Sequence, residues 1–214
     1  MNSTFWPVPF FIDPQHLAVD AVTSFIASIL VAITINAEAQ AFAATFLGDA
    51  RSGDERRFNF NFMLHLSILG TICYLVAGFG WPRRVDIDPA KFKYPRAYTV
   101  ITRLTGPAAN LLLAGIVGSI VMIMKAVNAN PIVFLMLIGV NVTTAIYNLI
   151  PLPPLAAGVL LQEILPAATL RQLFRQAGPF LILALALLER LTPGGIIGPY
   201  LNPLVRQVFD YIRG

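Results

Sequence analysis

The chain of 214 residues is rich in apolar side chains and poor in charged ones. Hydrophobic residues make up 57% of it and charged residues 12%, against roughly 25% charged residues in an ordinary soluble domain. The formal net charge is +4, but the sequence has no concentrated basic face with interleaved aromatic residues, which a nucleic-acid-binding domain needs. Composition and charge therefore exclude an ordinary soluble domain and disfavour a nucleic-acid partner.

Long apolar stretches indicate an all-α integral membrane protein. Residues 104–124 carry no charged side chain, and neither do residues 131–162. A bilayer core of about 30 Å takes roughly 20 apolar residues of helix, so each stretch is long enough to cross it. Helices also pair every backbone amide inside lipid without outside partners.

In chain order, the sequence predicts about five helical spans within one membrane domain, residues 1–214. The first helix is expected to begin after Asp13 and Pro14 and to end before Gly48. A tail at 199–214 is predicted to be an amphipathic helix that lies at the membrane interface. The predicted apolar segments are 16–47, 58–81, 104–124, 132–150 and 178–188.

Counts of lysine and arginine predict that the N-terminus lies outside the cytoplasm. Residues 1–50 contain neither, whereas the loop after the first helix and the loop at 81–103 are both basic, which places both in the cytoplasm. Two consecutive cytoplasmic loops cannot flank a simple span. Either one loop breaks the rule, or residues 58–81 enter the membrane and return. Aromatic and amide residues alternate at the start of that segment, so a short β-strand is a further possibility.

Five short motifs follow one another along the chain. In order and spacing they resemble those of the compact bacterial site-2 proteases, which are intramembrane zinc metalloproteases, and the resemblance covers nearly the whole chain. It implies a site-2-protease-like helical bundle as the core, residues 16–190, in a bacterial cytoplasmic (inner) membrane. The motifs are Leu47-Gly48-Asp49; Asn61, His65 and Gly70-Thr71; Phe79-Gly80-Trp81-Pro82 with Val85, Ile87 and Pro89; Gly106-Pro107 with Asn110-Leu111 and Ala114; and Asn148-Leu149 with Pro151 and Pro153-Pro154-Leu155.

The zinc ligands of that family are missing from this chain. In the family, H-E-x-x-H places two histidine ligands at i and i+4, beside a glutamate that activates water. Asn36, Ala37 and Gln40 occupy these positions here. The aspartate ligand falls on Ala156, or on Ala157 if the alignment slips by one. Because Zn²⁺ binds His, Cys and carboxylate ligands, the sequence predicts an inactive homologue without bound zinc and without another cofactor.

Three amides remain near the degenerate site. Asn36 and Gln40 share one helix face, and Asn148 lies nearby if the packing of the family holds. They are expected to form either a retained polar cavity for a peptide or small ligand, or an interhelical hydrogen-bond cluster. The cluster is favoured, because it is the ordinary role of such amides between membrane helices.

Two ionisable residues in apolar segments are candidate contacts as well. Glu38 lies about 200° around the helix from Asn36 and faces away from the degenerate site. A carboxyl group at that depth implies a function or a partner. It could pair with a basic residue from another subunit, be protonated and hydrogen-bonded locally, or belong to a proton or ion path. His65 is expected to be a hydrogen-bonded core residue.

These features predict a non-catalytic structural or accessory subunit. It would bind lipids and other integral membrane proteins, as part of a hetero-oligomer in a bacterial inner-membrane complex. A second hypothesis is an inactive-protease regulator that captures membrane-protein substrates at the proline-rich edge, residues 151–155. A proton or ion pathway that uses Glu38 is a third, and residual or altered hydrolysis is a fourth.

Overall fold

The computed structural model describes residues 19–50, 60–165 and 167–214, and its described part is helical, without a β-strand. The all-α prediction is therefore confirmed for these residues. A single turn of 3₁₀-helix at Pro89–Lys91 precedes the fourth helix. The helices are α1 (Val19–Phe46), α2 (Phe62–His65), α3 (Ile68–Ala77), α4 (Pro95–Ala126), α5 (Ile132–Tyr147), α6 (Ala156–Ile164), α7 (Ala168–Leu191) and α8 (Gly198–Arg213).

Helices α1, α4 and α5 pack together as the centre of the bundle. Asn110 of α4 donates a hydrogen bond to the carbonyl of Ala32 in α1, and Gly106 lies one turn away against Asn36. Later residues of α4 thus contact earlier residues of α1, so the two helices are antiparallel. The contact is close because Gly106 has no side chain, as is common between membrane helices.

Among the described helices, α1 and α4 are long and apolar enough to cross a bilayer. Helices α3 and α5 are apolar but shorter. These apolar helices agree with association with a membrane. The number of five spans and the location of the N-terminus outside the cytoplasm stay predictions. Residues 1–18 and the first basic loop, 51–59, lie outside the described residues.

Within the predicted segment 58–81, the described residues 60–81 form two short helices, and the chain then turns back. Helix α3 has 10 residues, about 15 Å at 1.5 Å per residue, which is half of a bilayer core. After α3 the chain returns, and the amide of Arg83 donates to the carbonyl of His65. This geometry agrees with a re-entrant segment. The β-strand prediction is wrong for residues 60–81, because Asn61 and Ser67 cap helices there.

Helix α8 packs along the bundle through the apolar face predicted for the tail. Val205 and Phe209 are buried in the main core, and Gly118 of α4 lies against Ile212. At the far end, the ammonium of Lys125 donates to the carbonyls of Arg213 and Gly214, at 2.6 and 2.9 Å. The amphipathic face therefore covers α4 and α5, and the location at a membrane interface stays a prediction.

We expect Gly106→Ala to lower the free energy of unfolding by about 1–3 kcal/mol. The added methyl group would overlap the side-chain amides of Asn36 and Gln40, which cannot move away without losing their hydrogen bonds. Denaturant unfolding in detergent micelles measures the change. Gly115→Ala is the matched control, because its methyl group meets no atom within 4 Å, and alanine favours helix. Equal effects of the two substitutions would contradict the described contact between α1 and α4.

Candidate functional site

Side chains from α1, α4 and α5 form one continuous set of hydrogen bonds at the centre of the bundle. From one end to the other, its members are Asn141, Asn110, Asn36, Gln40 and Arg103, called here the central network. The three links between amides measure 2.8, 2.6 and 2.8 Å, and Arg103 Nη1 lies 2.8 Å from Gln40 Oε1. Every member is buried, and none is more than 7% exposed.

The Arg103 guanidinium fixes the direction of the central network. A guanidinium has only donors, so Gln40 presents its oxygen to Arg103 and its nitrogen to Asn36. In the same way, the nitrogen of Asn36 donates to the oxygen of Asn110, and the nitrogen of Asn110 donates to the oxygen of Asn141. At the far end the donors meet backbone carbonyls, with Asn141 Nδ2 at 2.8 Å from the oxygen of Leu137. Each amide oxygen and nitrogen in the series is thereby used, which gives the network a single arrangement.

Regular helical spacing places these residues in register. Asn36 and Gln40 are one turn apart on α1, and Arg103 and Asn110 are two turns apart on α4. Gly106 lies between Arg103 and Asn110, where α1 comes closest. The second nitrogen of the Arg103 fork donates to the carbonyl of Val85, at 2.8 Å. Arg103 thus ties the extended segment 79–88 to the bundle.

The structure brings four of the residues predicted for the site around one small cavity. Asn36, Gln40, Asn148 and Ala156 all line it, beside Arg103, and its volume is about 20 Å³. That volume suffices for about one water molecule. A polar cavity and a hydrogen-bond cluster therefore coexist, although the cavity is too small for a peptide. Ala37 is fully buried.

Asn148 acts at the start of α6 rather than in the central network. Its oxygen accepts from the amide of Ala156, at 3.2 Å, and its nitrogen donates to the carbonyl of Thr144, at 2.7 Å. The amide of Ala157 in turn donates to the carbonyl of Asn148. Asn148 therefore joins the end of α5 to the first turn of α6.

Glu38 and His65 lie on the opposite side of α1 and contact each other. Glu38 Oε1 is 2.9 Å from His65 Nε2, and both side chains are largely buried. The hydrogen bond agrees with the expectation for His65, whose role in the site stays a prediction. A basic partner from another subunit was one hypothesis for Glu38, yet the structure provides a basic side chain from the same chain. The described contacts therefore favour local bonding.

The residues at the degenerate site do not fit a zinc ion. The oxygens of Asn36 and Gln40 already accept hydrogen bonds, and Ala156 has no side-chain ligand atom. Moreover, the positive charge of Arg103 lies against Gln40, where it would repel a divalent cation. Among the described residues, no three His, Cys, Asp or Glu side chains converge as a ligand set.

The sequence prediction missed Arg103 and Asn141 as members of the site and named Asn110 only as part of a motif. One local signal was present, because Arg103 precedes Asn110 by seven residues and so shares its helix face. The partner of Arg103 could not be read from the sequence, since Gln40 lies 63 positions away. Asn141 likewise meets Asn110 only through the antiparallel return of α5.

A comparison with known proteins gives one relative of matching length. The chain is 30% identical over 186 residues to the putative zinc metalloprotease YwhC of Bacillus subtilis (strain 168). The aligned region covers 82% of this chain and 84% of the relative. No protein-family model matches the chain, and no solved structure gives a significant match.

We expect Arg103→Met to lower the free energy of unfolding by about 1–3 kcal/mol. The substitution removes the donor to Gln40 and to the carbonyl of Val85 while keeping much of the side-chain volume. A double-mutant cycle with Gln40→Leu isolates the interaction, and we expect a coupling of about 0.5–3 kcal/mol. Arg96→Met, at an exposed position of the same helix, is the control and should have little effect. Strict additivity of Arg103→Met and Gln40→Leu would contradict the described contact.

Proposed function

This chain belongs to the family of the putative zinc metalloprotease YwhC, and we propose that it is a non-catalytic member with a site-2-protease-like fold. The observation that carries the proposal is the hydrogen bond from the Arg103 guanidinium to Gln40 Oε1, at 2.8 Å. It directs a fixed positive charge at one of the positions where the family has a zinc ligand. A metal ion would have to displace that charge and break the central network.

The base that activates water in such enzymes is missing too. Metal-assisted hydrolysis needs a general base beside the bound water. Ala37 occupies that position and is fully buried. Asn148 and Ala156, at the far wall of the small cavity, use their polar groups in bonding one another. Peptide hydrolysis is therefore not among the functions that this arrangement supports.

We propose that the chain serves instead as an accessory subunit that binds other integral membrane proteins and lipids. The polar groups at its centre are already hydrogen-bonded to one another and join α1, α4 and α5. The outer surface of these helices is apolar. On α4, Leu112, Ile116 and Ile123 are each more than half exposed. At the end of α1, Phe42 and Phe46 are also exposed and stack on each other. Such a surface suits helices of partner subunits or lipid tails.

The setting proposed for this subunit is a hetero-oligomeric complex of a bacterial cytoplasmic membrane, with the N-terminus outside. The bacterial source of YwhC supports a bacterial membrane as the setting, and the counts of lysine and arginine support the outside N-terminus. The regulator hypothesis is less well supported. Part of its proposed docking edge is packed against neighbouring helices, because Gly178 of α7 lies against Pro153 and Gly158 of α6 lies against Leu152, although Pro151 is exposed.

Native mass spectrometry of the protein, extracted from its own membranes in mild detergent, tests the accessory role. We expect a discrete assembly that carries fixed numbers of other membrane subunits. Extraction at rising detergent concentration is the control, since a specific assembly loses whole subunits in defined steps. A free monomer under the mildest conditions would contradict the accessory role.

The contact between Glu38 and His65 gives a second candidate, a proton path, some support, because two titratable groups lie in hydrogen-bond distance. Proton flux in proteoliposomes distinguishes the two functions. For an accessory subunit, we expect the wild type and Glu38→Gln to show the same background flux. A flux that Glu38→Gln abolishes while the assembly stays intact would favour the proton path. His65→Gln, which keeps a hydrogen-bonding side chain without a titratable group, should then behave in the same way.

A further inference from the structure

Beyond the central network, a wide cleft opens next to Arg103. Its volume is about 610 Å³. The N-terminal parts of α4 and α7 line it together with α6 and the segment 84–89. Four arginines face it, namely Arg84, Arg103, Arg171 and Arg175. Arg171 and Arg175 are one helical turn apart on α7, so both reach the same wall. We call this feature the arginine cleft.

Positive charge is in excess in the arginine cleft. Asp86 is the one carboxylate among the described side chains that line it. Partial burial lowers the pKa of Arg84, the nearby charge of Arg175 lowers it further, and Asp86 acts against both. The arginines therefore repel one another across the cleft, and a bound anion would relieve that repulsion.

Two buried donors at the arginine cleft have no acceptor in the described part of the chain. They are Arg103 Nε and Gln162 Nε2. Arg103 is 5% exposed and Gln162 is 8% exposed, and both line the cleft. Because buried donors are almost always paired, these two indicate an acceptor beside Arg103, either a water molecule in the small cavity that both residues also line or a group that enters the cleft. A group with several anionic oxygens would satisfy them and the arginine forks together.

The depth of the arginine cleft fits the level of lipid headgroups. Arg103 directly precedes the uncharged stretch 104–124, and Arg175 precedes the apolar segment 178–188. In both helices, therefore, the sequence changes from arginine to apolar residues at the level of the cleft. In a bilayer, phosphates lie at such a boundary, and basic pockets between helices bind them. We propose that the arginine cleft binds a phosphate group, supplied by the headgroup of an anionic lipid.

Lipid titration with detection by native mass spectrometry tests this site on the full chain in detergent. The probes are dioleoylphosphatidylglycerol and dioleoylglycerol, which lacks the phosphate. We expect the phosphatidylglycerol to bind and Arg84→Gln with Arg175→Gln to weaken it about thirtyfold. The charge-retaining pair Arg84→Lys with Arg175→Lys should recover much of the binding. The matched control, Lys93→Gln with Arg96→Gln, removes two exposed charges outside the cleft and should leave binding unchanged.

Inorganic phosphate, titrated by calorimetry, separates the two sources of the group. Binding of phosphatidylglycerol that depends on Arg84 and Arg175 supports a lipid headgroup. Binding of inorganic phosphate alone, with the same dependence, supports the phosphate site and overturns the lipid as its source. The proposal is overturned if neither probe binds, or if the cleft pair and the control pair weaken binding equally. Thermal unfolding of each variant confirms that the comparison is between folded proteins.

Discussion

The donor-only guanidinium of Arg103 is the constraint on which the centre of this protein depends. One nitrogen of its fork holds Gln40 and thereby orients Asn36 and Asn110 through the central network. The other holds the carbonyl of Val85, so the returning extended segment is fixed to the bundle. The Arg103 side chain also lines the arginine cleft. The packing of α1 on α4, the proposed absence of a metal ion and the charge of the cleft all involve this one side chain.

For the proposed non-catalytic role, the central network gives a physical account of how these helices hold together without a metal ion. Between membrane helices there is little hydrophobic driving force, so close packing and interhelical hydrogen bonds hold them together. Small residues such as Gly106 permit the close approach, and the amides supply bonds across it. Each bond contributes about 1 kcal/mol, and burial makes an unpaired member costly. The network therefore positions α1 against α4.

How far the sequence predicts this structure depends on whether the signal is local. Apolar runs and amphipathic spacing are local signals, and they predicted the bounds of α1, α5 and α8 to within a few residues. The start of α4 was missed because the basic residues after Pro95 resemble a loop, although proline is favoured in the first turn of a helix. The short β-strand that the alternation at 58–62 left possible is absent from the described residues 60–62, because so short a pattern is outweighed by the helix caps at Asn61 and Ser67.

For the site as well, local sequence signals predicted some features, and contacts between distant residues could not be predicted. The i and i+4 spacing of Asn36 and Gln40 predicted that they share a face, and the two are hydrogen-bonded at 2.8 Å. The partners that decide the chemistry come from distant positions, Arg103 for Gln40 and His65 for Glu38. Such pairings depend on how the helices pack, so local periodicity does not predict them. They place a positive charge where the sequence alone shows only missing ligands.

The zinc content of the purified full chain, measured by elemental mass spectrometry after equilibration with zinc and desalting, tests the central claim most directly. The chain should carry no zinc, and a variant with Asn36→His, Ala37→Glu, Gln40→His and Ala156→Asp should retain the metal better once Arg103 is replaced by leucine. One zinc ion per wild-type chain, lost on substitution of Asn36 or Gln40, would contradict the account.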